Sequence, residues 1–306
     1  MRLTLGTRGS ALALAQTETV AVRLRESHPD LRVEAEPIRT SGDRPASRSE
    51  AEPDDKSRFV KEIEDALLAG RIDLAVHSAK DVPGELPDGL AIVAVPERAD
   101  PRDSLCGADS LDRLEEGSTV GTSSLRRRSQ LLAERPDLRL EELRGNVDTR
   151  LDRLDRGDYA AVVLAAAGLA RLGRSEGRPL DADDFVPAPG QGCLMLEART
   201  DDERVGELAE ALVDRRALLE LTAERALMGE LDATCRTPVG ANASLAGGEL
   251  RLTGYAGLPD GTLWIRDSLE GTAKDPGSLG RAVAERMLAA GADELLAVAD
   301  AWDGLA

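Results

Sequence analysis

Lysine, histidine, cysteine and aromatic residues are all scarce in this chain. The lysines are Lys56, Lys61, Lys80 and Lys274, and the histidines are His28 and His77. Two histidines and three scattered cysteines (Cys106, Cys193 and Cys235), with no C-x-x-C spacing, argue against a zinc site or a disulfide framework. Phe, Trp and Tyr make up 2% of the residues, so cores must be built from Ala, Leu and Val. No apolar run approaches the ~18 residues of a membrane span, and the N-terminus opens on strand-like Arg2-Leu3-Thr4-Leu5 rather than a signal peptide. These absences predict a cytoplasmic protein without metal.

Acid is abundant instead. Asp and Glu total 57 against 39 Lys and Arg, a formal net charge of -18. Such a chain is a poor partner for nucleic acid, whose affinity rests on neutralising phosphates, and it has few aromatics for stacking bases. An acidic, arginine-for-lysine composition resembles cytosolic proteins of salt-accumulating halophiles, where molar salt screens self-repulsion. Disorder is excluded by 42% hydrophobic residues in periodic arrangement.

Against that background, clustered arginine needs a local reason. Arg126-Arg127-Arg128 follows Gly121-Thr122-Ser123-Ser124-Leu125; Arg144 and Arg150 come soon after. Gly-Thr-Ser-Ser before a helical run is a hydroxyl and backbone cradle where the helix dipole favours anions. Guanidinium forks bind carboxylates bidentately. A solvated basic helix face is the commoner reading of a lone triplet, but three arginine-bearing turns within thirty residues point to a small polyanion.

Short apolar runs alternate with amphipathic stretches, predicting α/β with largely parallel sheets. Strands are expected at 3–5, 31–38, 72–76 and 90–95, with helices at 11–25 and 58–69. A second unit carries strands at 118–121, 138–141 and 159–165 and helices at 124–134 and 146–156. Pro187-Ala188-Pro189-Gly190-Gln191-Gly192 reads as a hinge, after which 194–197 returns to the first sheet. A helix at 213–231, three strands and two helices complete the chain. The expected domains are 1–95 plus about 194–212, 96–193, and an α+β unit over 213–306. Two α/β lobes with a hinge are expected to hold a ligand between them.

Two further sites stand out. Val76-His77-Ser78-Ala79-Lys80-Asp81-Val82-Pro83 ends a predicted buried strand, where open α/β sheets bind ligands. Asp81 there is either a general acid/base or charge stabiliser, or an ordinary turn residue held by Pro83. Cys235 lies on a loop beside Arg236, which favours a thiolate, although lone cysteines are mostly buried small hydrophobes.

Taken together these segments resemble the porphobilinogen deaminase (hydroxymethylbilane synthase) family. The resemblance is carried by Thr7-Arg8-Gly9-Ser10-Ala11-Leu12-Ala13, by residues 76–83 and by Pro101-Arg102-Asp103. It continues through Val120 to Arg127, Leu143-Arg144-Gly145-Asn146, residues 167–173 and Pro189-Gly190-Gln191-Gly192. Thr222-Ala223-Glu224-Arg225-Ala226 and Cys235-Arg236-Thr237-Pro238-Val239-Gly240 complete it. These blocks span most of the chain in family order. The resemblance implies two periplasmic-binding-protein-like lobes with a hinge, plus a small α+β C-terminal domain carrying the cofactor cysteine. It implies a transferase of tetrapyrrole (heme) biosynthesis that joins four porphobilinogen molecules head to tail into hydroxymethylbilane, releasing ammonia; nothing in the sequence demands more than a monomer. The chain would grow on a dipyrromethane cofactor held by a thioether to Cys235. Each pyrrole bears an acetate and a propionate, so six tethered rings present about a dozen carboxylates to the arginines.

By the same resemblance, Ser78, Lys80, Thr122, Ser123, Ser124, Arg126, Arg127, Arg144 and Arg150 bind the cofactor. Arg8, Ser10, Lys56, Phe59, Arg144, Arg150, Arg171 and Gln191 meet substrate. Asp81 is assigned the catalytic role, stabilising the cationic azafulvene left by loss of ammonia and moving the proton lost after C–C bond formation. Two departures are visible. The loop Glu52-Pro53-Asp54-Asp55-Lys56-Ser57-Arg58-Phe59 has acids where the family usually has glycines, and Ala233-Thr234 replaces a glycine pair before Cys235. The competing reading is a non-catalytic two-lobe carboxylate-binding protein, which has no use for a tethering cysteine or a third domain.

Overall fold

The computed structural model describes residues 1–40, 60–234 and 237–302. Lys56, Phe59 and Cys235 lie outside the described residues. The chain divides into two compact units, residues 1–99 with 193–218 and residues 100–192 with 219–306.

Among the described residues, the first unit is one five-stranded sheet flanked by helices. Its strands are β1 (Arg2–Arg8), β2 (Arg32–Ile38), β3 (Leu74–Ser78), β4 (Leu90–Ala94) and β10 (Leu194–Arg199), ordered β2-β1-β3-β10-β4. Helix α1 (Ala11–Ser27) starts at Ser10, whose side chain accepts from Ala13 N, and stops at His28 before Pro29. Leu3, Leu5, Val20, Leu24, Val76 and Leu196 form a dry layer between α1, the sheet and α6 (Glu203–Glu210). On the opposite side α2 (Lys61–Leu68) buries Ile63 and Leu67 against Ile38 and Ile72.

The second unit holds two sheets. The first combines β5 (Asp103–Cys106), β6 (Thr119–Gly121), β7 (Arg139–Glu141), β8 (Ala161–Ala165) and β9 (Arg178–Pro179) in the order β7-β6-β8-β5-β9. Around it lie α3 (Leu125–Glu134), α4 (Val147–Asp155) and α5 (Ala166–Arg171). The second is the antiparallel meander β11 (Val239–Ala246), β12 (Glu249–Gly257) and β13 (Trp264–Thr272). It packs on α8 (Pro276–Ala289) and α9 (Ala292–Asp300) through a Leu, Val and Ala core, which also takes Ala223 and Leu227 from α7 (Arg215–Glu230).

Two expectations are corrected and one strand is added. The large sheets are mixed rather than largely parallel: β10 runs antiparallel to both β3 and β4, and β5 antiparallel to β8 and β9. Parallel neighbours need a crossover connection; a strand inserted from elsewhere in the chain has no such constraint. β3 sits two residues later than expected, because Asp73 is occupied at β1, accepting Thr4 N through its side chain and donating its own N–H to Thr4 O. That shift makes Ser78 the last residue of the strand. Finally β5, a four-residue strand with two polar members, carries too little alternation to be read from sequence.

Candidate functional site

In the first unit, β1 and β3 are parallel neighbours, with Leu5 opposite Leu74 and Gly6 opposite Ala75. Their carboxyl ends therefore share one sheet edge. Arg8 ends β1 and Ser10 caps α1; Ser78 ends β3, and Lys80 and Asp81 follow in a single 3₁₀ turn, Ala79–Asp81. The turn is fixed to the sheet by Ala79 N donating to Cys193 O at 3.1 Å. Lys80 and Asp81 are half-buried. The sheet edge thus gathers five of the sequence candidates from two segments far apart in the chain.

Below this edge lies a cluster that the sequence reading missed. His77 Nε2 stands 3.1 Å from Glu197 Oε2, both buried. Glu64 of α2 is buried nearby; burial first and the Glu197 charge second push its carboxyl up to about 7, against the pull of His77. Glutamates in so acidic a chain give no sign of burial in the sequence.

The second unit repeats the logic. β6, β7 and β8 are parallel neighbours, so Thr122-Ser123-Ser124, Arg144 and the start of α5 all follow strands at the same edge. Ser124 caps α3, accepting from Arg127 N, and its own N–H donates to Thr122 Oγ1 at 3.2 Å. Asn146 caps α4, accepting from Thr149 N at 2.9 Å.

The arginines fall into two kinds. Arg126 and Arg127 are buried around Asp103, which is wholly inaccessible. Arg127 donates to Asp103 Oδ1 through Nε at 3.0 Å and a terminal nitrogen at 2.7 Å, and to Val163 O at 2.8 Å. Arg126 pairs with Asp103 Oδ2 at 2.8 Å and donates to Val186 O at 2.6 Å. Burial alone would raise the Asp103 pKa; the two guanidinium charges overturn that and hold it well below the usual carboxylate range.

Arg144 and Arg150 are the second kind. Arg144 is exposed and lies 2.5 Å from Glu142. Arg150 is half-buried on α4, donating from Nε to Gly145 O at 2.8 Å. It has no carboxylate partner among the described residues. Burial, then repulsion from Arg127, pushes its pKa down to about 10, so the charge persists at neutral pH without a counter-charge among the described residues. Arg171 donates to Gly192 O at 2.7 Å, and Gln191 donates to Pro101 O at 2.8 Å and Asp103 Oδ1 at 3.0 Å. Both are therefore tied into the Gly190–Gly192 turn. The described cysteines, Cys106 and Cys193, are buried and outside any disulfide. Burial raises Cys106 to about 11, which makes it a poor nucleophile.

Comparison with known proteins gives this arrangement its context. Residues 3–207 match the family model described as porphobilinogen deaminase, dipyrromethane cofactor-binding domain, and residues 218–289 match its C-terminal domain. The chain is 50% identical over 299 residues to the porphobilinogen deaminase of Roseiflexus castenholzii, covering 96% of this chain and 98% of that protein. It is 46% identical over 301 residues to the porphobilinogen deaminase of Deinococcus radiodurans, covering 96% and 97%. Among solved structures, the methionine-binding protein MetQ is a looser likeness of fold, with 16% identity, a TM-score of 0.42, and coverage of 69% of this chain and 89% of that one. The non-catalytic reading gives way to these full-length matches.

Proposed function

The chain belongs to the porphobilinogen deaminase family, and from that premise we propose which of its residues hold the primer, receive the substrate and move the proton. The enzyme condenses four porphobilinogen molecules head to tail into hydroxymethylbilane, releasing ammonia, on a dipyrromethane primer. When bound, the primer supplies the free pyrrole carbon to which the first monomer is joined.

The observation that carries the assignment is Arg150. A partly buried cation whose pKa is depressed by burial and by Arg127, and which has no described carboxylate, is a site that an anionic ligand completes. Pyrrole acetates and propionates are such ligands, so the residues fit the group. Arg144 joins Arg150, while Thr122, Ser123 and Ser124 offer hydroxyls and the α3 N-terminus. Arg126 and Arg127 keep N–H groups beyond those given to Asp103, Val163 and Val186, which turn to the same carboxylates. Ser78 and Lys80 bind from the β3 end. Arg8, Ser10, Arg171 and Gln191 receive the incoming porphobilinogen side chains, together with Arg144 and Arg150, which serve substrate as well as primer, and with Lys56 and Phe59.

Asp81 is the catalytic group. Its carboxylate accepts pyrrole N–H hydrogens, stabilises the positive charge that develops as ammonia leaves, and carries away the proton released when the new C–C bond forms. Lys80, beside it, holds a primer carboxylate; as an ammonium it donates and leaves proton acceptance to Asp81. Cys235 tethers the primer as a thioether. The enzyme works as a cytoplasmic monomer.

The test is the intact mass of the denatured protein and a peptide map across Cys235. The expected result is a covalent excess of two linked pyrrole units on the Cys235 peptide. A bare polypeptide that stays bare after incubation with porphobilinogen or hydroxymethylbilane overturns the tether.

A further inference from the structure

Two carboxylates of the second unit, Asp103 and Glu224, are fully buried, and neither has a part in the chemistry just described. Burying a charge is costly unless its partners are well placed. Glu224, on α7, spends its two oxygens on two different segments. Oε2 accepts Gly190 N and Oε1 accepts Ala243 N of β11, each at 2.7 Å. Asp103 takes the next residue of the same turn, accepting Gln191 Nε2 at 3.0 Å while it holds Arg126 and Arg127. The turn itself is of a shape that glycine favours: Gly190 has φ 71° and Gly192 φ 89°. Its own Gln191 N–H returns to Ala188 O.

Two sets of hydrogen bonds, joined through the Gly190–Gln191 peptide bond, therefore link Arg126–Arg127 and Asp103 on one side to Glu224 and β11 on the other. β11 begins at Val239, four residues after Cys235 in the sequence. We propose that Glu224 and Asp103 are positioning residues that clamp the Gly190–Gln191 turn from both sides, setting the strand beyond the tethering cysteine in register with the arginine pair. The proposal rests on the assignment of Cys235 as tether and of Arg126 and Arg127 as primer ligands. A primer fixed at one end of such a run finds its arginines without a search, which is the entropic advantage of pre-organisation. Amides in place of the acids would break the run at a defined point: the NH₂ group that Glu224→Gln introduces cannot accept a backbone N–H.

The test follows the kinetics of primer acquisition. Apoprotein of the wild type, Glu224→Gln, Asp103→Asn and the double variant is given preformed hydroxymethylbilane, and the mass gain at Cys235 is timed on the folded fraction. Each single variant is expected to load about tenfold more slowly or worse. The double variant should be no slower than the slower single, because both cut one connection. Should Glu224→Gln fail to fold, Glu224→Asp, charged but one methylene too short to reach both amides, is expected to show the same slowing. Variants that melt earlier but load at the wild-type rate when folded overturn the clamp, leaving the carboxylates as structural glue. Independent, multiplying effects in the double variant also overturn it. A wild-type apoprotein that gains no mass overturns the tether and the clamp together.

Discussion

Arg150 feels the charge of Arg127, yet only Arg127 has a described carboxylate to answer it. Asp103 is shared between Arg127 and Arg126, and Arg150 is left with the carbonyl of Gly145. In the absence of ligand Arg150 is a cost to the fold, from desolvation and from like-charge repulsion. A binding residue held in this way should separate stability from function on substitution. Arg150→Leu is expected to leave the apoprotein as stable as the wild type or slightly more so, measured by thermal unfolding. Porphobilinogen KM should rise about tenfold to a hundredfold, the worth of one charged hydrogen bond. A fall in apoprotein stability with unchanged KM would make Arg150 structural.

Asp81 should behave in the opposite way, with binding preserved and chemistry lost. A carboxylate about 4 Å from a developing positive charge, at an effective dielectric near 20, is worth about 4 kcal/mol. Expressed only in the transition state, that is roughly a thousandfold in rate. Asp81→Asn is nearly isosteric and is expected to carry the primer by intact mass, but to turn over slower by at least that order. A near-normal rate from the primed variant would remove Asp81 from the mechanism.

How much of this was legible in the sequence depends on what each residue does locally. Caps announce themselves: Ser10 and Asn146 precede amphipathic runs and both cap helices in the fold, while Ser124, expected as the first helical residue, is in fact the cap. The placement of residues 194–197 in the first sheet was also readable, since the apolar run had no neighbour in its own lobe. The buried carboxylates Asp103, Glu64, Glu197 and Glu224 were not. In a chain with 57 acids nothing in composition or period marks the few that are desolvated. Only their partners do, and those lie far away in the sequence. The same holds for Arg126 and Arg127. A triplet of arginines reads as one cationic surface, whereas the helix turns two of them inward onto Asp103 and leaves Arg128 to donate to Leu140 O.

Glu64 supplies a pH dependence whose sign is fixed by burial. Its folded pKa, about 7, lies above the ordinary value of 4.5, so the native state favours the protonated acid. The fold is free of penalty below about pH 4.5 and loses stability as pH rises toward 7, by about 3 kcal/mol once Glu64 is fully ionised. Glu197 and Asp65 act against ionisation and His77 for it. Glu64→Gln is expected to raise the melting temperature at about pH 8 and to leave it nearly unchanged at about pH 4.5. Equal melting curves for variant and wild type at the higher pH would show that the cluster relaxes or hydrates instead.

The net charge of -18 makes a separate demand on the solvent. Many of the surface ion pairs, such as Arg2–Glu34 and Arg178–Asp109, join well-exposed side chains and contribute little individually. They cannot offset repulsion among an excess of acids. Raising KCl from about 0.1 M to about 1 M shortens the Debye length from about 10 Å to about 3 Å, which screens that repulsion almost completely. The same screening weakens an exposed guanidinium such as Arg144 far more than Arg150 or the pair around Asp103. The melting temperature is therefore expected to climb with KCl while turnover of the primed enzyme holds, because the half-buried cations keep their grip on substrate. Full stability in dilute buffer, unmoved by salt, would show that the acidic surface is tolerated without screening. A rising melting temperature with collapsing turnover would instead assign substrate capture to the exposed arginines.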